Sequence, residues 1–238
     1  MMEDLLYRAT LAELAERYED LVSTMKEIVQ QAIDLPSDLR TLLNVGYKNV
    51  VSMRRISWRA IRSIEAMEAS RGRLEKAELA RLYREKIEEE LVSIYTESFS
   101  CIDLILTTKS NSDEAKVSLL KLQADHYRYL AEIQLSEVSK QGNSPIESAI
   151  RVYQQATDLA NTSLSPSLPT RLELALNFSV FQYEVLKQRE EACSRAKSAF
   201  VLAAEELEGL DEEQYRKTCM VLLLIRDYCN LWTSEPAE

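Results

Sequence analysis

The sequence predicts an all-α protein, and three observations predict it. The chain of 238 residues holds only 4 Gly and 5 Pro, so turn material is scarce and the elements must be few and long. Ala, Leu, Glu, Lys and Arg dominate, and these residues favour helix most. Apolar positions recur at helical spacing, and short polar breaks separate the runs. Hydrophobic residues make up 46% and charged residues 29%, enough for a buried core beneath a solvated surface.

The breaks divide the chain into about nine helices. The first two span roughly residues 3–16 and 18–32. "DLPSD" ends the second, and Ser37 is the expected N-cap of the third. That helix runs from 38 to about 70 and stops near Gly72. A fourth covers about 74–107. "TTKSNSDE" is a break in which Asn111 and Glu114 have capping-box spacing, opening a fifth helix over about 113–136. "KQGNSPIE" starts the sixth, with Ser144 as N-cap, Pro145 as first helical residue and Glu147 as third. "NTSLSPSLPT" leads into the seventh, about 168–186, and an eighth covers about 189–207. Gly209 and "DEEQ" introduce the ninth, which runs to about 233, and the last residues, "SEPAE", are expected to fray. No 34-residue repeat or other internal period recurs.

Composition excludes several classes of function. The net charge of −10 argues against nucleic acid, whose phosphates need a basic face, and mildly against anionic membranes. The longest strongly apolar run, "CMVLLLI", is too short to cross a bilayer. The opening "MMEDLLYRAT" is acidic and lacks the apolar stretch of a secretory leader. Cys101, Cys193, Cys219 and Cys229 have no C-x-x-C spacing, and only 1 His is available to help hold a metal. Free thiols in a reducing compartment are expected, the cytoplasm and also the nucleus, with no metal and no cofactor. Without a phosphate-cradling Gly loop or an evident nucleophile, an enzyme is not expected.

Positive charge is nonetheless concentrated in "YKNVVSMRRISWRAI". At roughly 100° per residue, Lys48, Arg55, Arg59 and Arg62 fall within roughly 60° of one another on the third helix. The opposite side collects Leu43, Val50, Met53, Trp58, Ile61 and Ile64. Arg54 points elsewhere and is expected to form a local ion pair. The fifth helix adds Lys121, Asp125, Arg128 and Tyr129 on one face, where the carboxylate would steady its flanking cations. An Arg fork beside a phenol suits phosphate. The plainer reading of both clusters is a solvated face of salt bridges. On the ninth helix, Val221, Leu224, Tyr228, Leu231 and Trp232 form a stripe, and residues 220–225 are apolar nearly all round. That is more than one buried face needs, so a surplus face is available to line a groove.

"LLNVGYKNVVSMRRISWRAIRSIE" resembles the first signature of the 14-3-3 proteins, and "YRKTCMVLLLIRDYCNLWTSE" resembles their second. "RLELALNFSVFQYEVL", "DHYRYLAE" and "LAELAERYEDLV" match as well, and the blocks fall in family order over nearly the whole chain. The resemblance implies one domain over residues 1–238, with nine antiparallel helices per subunit, a cup-shaped dimer, and a groove for phosphoserine or phosphothreonine peptides. It places the phosphate on Lys48, Arg55, Arg128 and Tyr129, with Arg59 in support. Asn177 becomes a clamp on the ligand backbone, and Leu176, Val180, Leu224, Leu231 and Trp232 a groove wall, with Lys121 and Glu184 beside them. Tyr228 stands where the family has a second clamping Asn, Glu173 replaces a Gly at the groove lip, Gly46 replaces an Ala, and His126 replaces a Tyr.

The same resemblance implies an interface in which Leu11, Ala15, Arg17, Tyr18 and Asp20 of one subunit face Ser57, Tyr83, Lys86 and Glu90 of the other. Arg17–Glu90 and Asp20–Lys86 keep opposite charges. Glu75 meets Asp4 where the family has a Lys, which leaves homodimer and heterodimer both open. "RRIS" places basic residues ahead of Ser57, as basophilic kinases prefer. The function implied is a dimeric adaptor for phosphorylated client proteins in signal transduction. Two alternatives are a divergent helical scaffold using the same groove without phosphate dependence, and a chaperone-like helical protein.

Overall fold

The computed structural model describes residues 2–31, 35–108, 111–134 and 144–234. Among the described residues there are nine α-helices and one 3-10 turn, an all-α fold as the composition predicts. The chain divides into two compact units, Met1–Ser110 and Asn111–Glu238. The ends assigned to the second and fifth helices, and residues 235–238 of the terminal "SEPAE", lie outside the described residues, whereas Ser234 is the last residue of the ninth helix.

The first unit holds α1 (Met2–Leu14), α2 (Tyr18–Gln31), α3 (Ser37–Ser70) and α4 (Leu74–Thr108). α2 buries Leu21, Val22, Met25, Ile28 and Val29, a stripe at helical spacing that packs on α1 and α3. Leu43, Tyr47, Val50 and Trp58 of α3 and Leu91, Tyr95, Ile102 and Ile105 of α4 complete the core. The long pair α3–α4 is tied by polar bonds. Trp58 Nε1 donates to Glu88 Oε1 at 2.7 Å, and Arg84 reaches Glu65 at 2.7 Å and Glu88 at 2.5 Å. α3 ends at Gly72, whose φ of +71° is the left-handed conformation that glycine adopts without strain. Gly46 serves a different purpose. A Cβ there would stand 3.0 Å from Val22 Cγ2, so its missing side chain lets α2 close on α3. The second half of α4 has the length and composition of a bilayer span, but its apolar side packs against α2 and α3.

The second unit holds α5 (Asp113–Gln134), α6 (Pro145–Ser163), α7 (Pro169–Glu184), α8 (Arg189–Ala204) and α9 (Glu212–Ser234). α7 is apolar nearly all round and is accordingly the central helix, packed against α5, α6, α8 and α9. Pro145 and Pro169 occupy the first turns of α6 and α7, where no backbone donor is lost. Asp211 caps α9 by accepting from the Gln214 N–H at 2.8 Å. The α6–α7 loop is staked to the end of α8: Glu206 accepts from Ser165 Oγ and from the Ser167 N–H at 3.1 Å, and Thr218 of α9 donates to Ser167 O at 2.8 Å.

Two caps differ from the sequence reading. α5 is capped by Ser112, whose Oγ accepts from the Ala115 N–H at 3.2 Å. Asn111 is one residue too early, and Glu114 accepts instead from Thr170 of α7 at 2.9 Å. Ser37 is the first residue of α3, with Pro36 in the cap position.

Candidate functional site

α5 presents Lys121, Asp125, Arg128 and Tyr129 on one side, and α7 presents Glu173 and Asn177 against them. Arg128 Nη2 donates to Tyr129 Oη at 3.0 Å, and the guanidinium carbon stands 4.5 Å from the Tyr129 ring centre. The Arg128 side chain is 13% exposed, and its Nε has no hydrogen-bond partner among the described residues. Burial pulls its pKa down, but the charges of Tyr153, Asp125, Tyr129 and Glu184 raise it above the ordinary value, so the group stays cationic.

Asp125 holds this cluster in place, by contacts the sequence did not reveal. Its carboxylate accepts from Tyr153 Oη of α6 and from Asn177 Nδ2 of α7, the latter at 2.8 Å. Arg128 stands farther off, at 3.8 Å. Lys121 is not held by Asp125 as spacing predicts. It pairs with Glu173 across the helix boundary, Nζ to Oε2 at 3.1 Å. Burial disfavours the Lys121 charge, but Asp125 and Glu173 together raise its pKa, so the ammonium persists. Tyr153 is pushed well up, by burial first and then by the Asp125 charge, and remains a neutral donor. His126 is buried beside this cluster, its ring 6.5 Å from that of Tyr129.

α9 splits the apolar stripe between two surroundings. Val221, Leu222, Ile225 and Trp232 are buried, whereas Leu224 and Leu231 are 52% and 53% exposed. The division is geometric. Val221, Tyr228 and Trp232 lie within roughly 40° of one another, with Leu224 and Leu231 on the flank of that arc. Trp232 stacks on Tyr183 at 4.8 Å, and the half-buried Tyr228 ring leans on Trp232 at 5.5 Å. Leu176 and Val180 of α7 are nearly buried, and Glu184 is exposed.

In the first unit, α3 carries Lys48 and Arg59 exposed and Arg55 half-buried. Arg62 is exposed, with its guanidinium 5.3 Å from the Trp58 ring. Arg54 forms the local pairs expected of it, with Glu19 at 3.0 Å and Glu90 at 3.4 Å. The opposite side is less apolar in use than in pattern. Leu43, Val50 and Trp58 are buried, but Met53 and Ile64 are 62% and 42% exposed.

The residues assigned to subunit contact fall in two concavities of this unit. Leu11, Ala15, Arg17 and Asp20 line one of about 340 Å³. Ser57, Tyr83, Lys86 and Glu90 line another of about 410 Å³. Tyr18 is half-buried at the start of α2. Arg17 and Asp20 bond each other, and Glu90 is engaged by Arg54, so these charges have partners inside the subunit.

The described residues thus define an all-α binding module, with an oriented guanidinium–phenol pair on α5 and exposed leucines on α9. A 14-3-3 protein family model matches residues 8–233. The chain is 44% identical over 232 residues to 14-3-3 protein beta/alpha-1 of Oncorhynchus mykiss, covering 98% of this chain and 93% of that one. It is 44% identical over 234 residues to 14-3-3-like protein 1 of Caenorhabditis elegans, covering 98% and 92%. Against 14-3-3 protein zeta of Bombyx mori it is 42% identical over 243 residues, covering 99% and 96%. The chain belongs to the 14-3-3 family. It is an adaptor and regulatory protein that binds phosphorylated client proteins.

Proposed function

We propose that recognition of the client depends on its phosphate, and that Lys48, Arg55, Arg128 and Tyr129 hold it, with Arg59 in support. The observation that carries this is the state of Arg128. Its guanidinium is almost buried, Tyr129 orients it, and its nearest carboxylate stands 3.8 Å away. A buried cation so loosely matched favours an added anion. A phosphoserine brings about −1.5 to −2 charges and three acceptor oxygens, which suit a forked guanidinium and a phenol. Asn177, steadied by Asp125, clamps the ligand backbone. Leu176, Val180, Leu224, Tyr228, Leu231 and Trp232 supply the apolar wall, with Lys121 and Glu184 beside it.

The protein acts by binding alone and as a dimer, with itself or a related subunit, through the two concavities of its first unit. Two linked sites then raise avidity toward doubly phosphorylated clients. Its four free thiols suit a reducing compartment, the cytoplasm and nucleus. Fluorescence polarisation with matched phosphorylated and unphosphorylated peptides tests the phosphate dependence. The phosphorylated peptide is expected to bind at least about tenfold more tightly, a difference of about 1.4 kcal/mol, and Lys48→Glu to abolish the preference. Equal affinity for the two peptides would refute it.

A further inference from the structure

α7 has a second working face. Arg171, Ala175, Phe178 and Gln182 fall within roughly 60° of one another, roughly 150° round the helix from Glu173 and Asn177. Over that face α6 and α8 leave a cavity of about 590 Å³, a size that suits a small molecule. Much of its lining is apolar: Leu172 and Leu174 are buried there, beside Ala160, Ala175 and Ala199. The chemical feature of the cavity is Arg195 of α8, which is half-buried. Its guanidinium carbon stands 4.0 Å from the Phe178 ring centre, and its Nε donates to Gln182 Oε1 at 2.8 Å. Among the described residues it has no carboxylate partner, and its two Nη groups make no hydrogen bond. Burial lowers its pKa with no carboxylate to raise it again, yet an Arg side chain stays cationic. Ser194 and Ser198 flank it on α8, and their hydroxyls also have no partner among the described residues. Arg171, nearer the start of α7, is already engaged, by Leu164 O at 2.5 Å and Asn161 Oδ1 at 2.9 Å.

We propose that this cavity binds a small organic monocarboxylate with a compact apolar body: the carboxylate sits on the Nη pair of Arg195 and the hydroxyls of Ser194 and Ser198, and the body lies on Leu172, Leu174 and Ala175. The site is separate from the one assigned to the client phosphate and does not depend on it. Gln182 and Phe178 hold the guanidinium by its Nε and its face, so the end bearing the two Nη groups is left to fork onto two carboxylate oxygens. The head is a monoanion because of the charge already present. Arg171 and Arg195 are matched in number by Glu190 and Glu191, which line the same cavity, are exposed, and hold no ion pair among the described residues. One added negative charge meets the Arg195 fork. A second finds no other free fork and adds to the repulsion from the two glutamates, so a phosphate dianion fits less well.

The test is saturation-transfer NMR on the full chain with 2-naphthoate and with 2-naphthalenemethanol, its uncharged twin. The acid is expected to bind at least about tenfold more tightly than the alcohol, as suits hydrogen bonds to a charged group. Arg195→Leu, which keeps apolar packing on Phe178, is expected to remove that advantage. Arg195→Lys, which keeps the charge without the fork, is expected to reduce it by about threefold. Ser198→Phe, which fills the cavity and leaves Arg195 in place, is expected to abolish binding of both ligands. Phosphopeptide affinity, read by fluorescence polarisation, is expected to stay within about twofold of wild type in all three variants. Neither a saturating phosphopeptide nor inorganic phosphate is expected to displace the acid. No binding of naphthoate up to about 5 mM, equal affinity for acid and alcohol, or an advantage that survives Arg195→Leu would overturn the proposal. Displacement by the phosphopeptide would put the acid in the client groove, and displacement by inorganic phosphate would assign the cavity to a dianion; either result overturns it as well.

Discussion

Gly46 and Val22 are set so closely that the position of a Cβ on Gly46 lies 3.0 Å from the Val22 Cγ2 methyl. Glycine inside a helix costs about 1 kcal/mol relative to alanine, and here that cost permits the approach of α2. Gly46→Ala alone is therefore expected to be neutral or destabilising by up to about 2 kcal/mol, because overpacking offsets the gain in helix propensity. In a Val22→Ala background the same change is expected to stabilise by about 1 kcal/mol. Urea unfolding of the four proteins of this cycle measures the coupling; simple additivity would argue against it.

Tyr228 leans on Trp232 from the exposed side of α9. Tyr228→Asn removes an aromatic contact and partly buried area, for a loss of about 1–2 kcal/mol in stability. It also opens the face next to Leu224 and Leu231 and supplies an amide able to pair with a peptide backbone. Phosphopeptide affinity is expected to rise by about threefold to tenfold, or roughly 0.7–1.4 kcal/mol. Titration by fluorescence polarisation reads this, and unchanged or weaker binding would speak against it.

Ser57 is exposed on α3, and its hydroxyl donates to Met53 O at 3.1 Å. It shares its concavity with Tyr83, Lys86 and Glu90. A negative charge at this position stands near Glu90 and, in the interface proposed above, would be buried on association. Ser57→Glu is expected to weaken the dimer by at least about tenfold, since burying an imperfectly paired charge costs a kcal/mol or more. Light scattering across a dilution series would show it; a variant that dimerises as tightly as wild type would remove Ser57 as a control point.

Cys101 is buried in the first unit, and burial raises its thiol pKa from 9.0 to about 11, with Tyr47 and Lys26 opposing the shift. Tyr47 is also raised, by burial first and then by the Cys101 charge. The sign follows from proton counting. Below pH 9 the thiol is neutral folded and unfolded, and no linkage exists. Between about 9 and 11 the unfolded chain releases this proton and the folded one keeps it, so stability falls as pH rises. The loss from Cys101 is on the order of 2 kcal/mol by pH 11. Denaturation at pH 8 and pH 10.5 is expected to show a smaller drop for Cys101→Ala; equal drops would exclude Cys101 as the source.

Helix boundaries were legible in the sequence because their causes are local. Pro145, Gly72 and Asp211 each act within one turn of themselves, and α6, α3 and α9 begin or end beside them. Ser112 was missed because Asn111 has the same capping chemistry one residue earlier, and spacing alone does not choose between them. The site was legible only in part. Helical spacing put Arg128 and Tyr129 together, and they touch. Spacing gave no sign of the Asp125 partners, because Tyr153 and Asn177 lie 28 and 52 residues away along the chain. For the same reason Lys121 was assigned to its own-helix carboxylate and not to Glu173. The exposed Met53 and Ile64 mark the limit of periodicity, which says that a face is apolar but not what covers it.

The chain contains 2 Trp, and the fold puts one in each unit: Trp58 against α4, and Trp232 beneath Tyr183. Both are almost fully shielded from water. Each indole is therefore a built-in optical reporter. Replacing either one with Phe leaves an emission signal from a single half, so the order in which the halves melt can be read without attaching a dye.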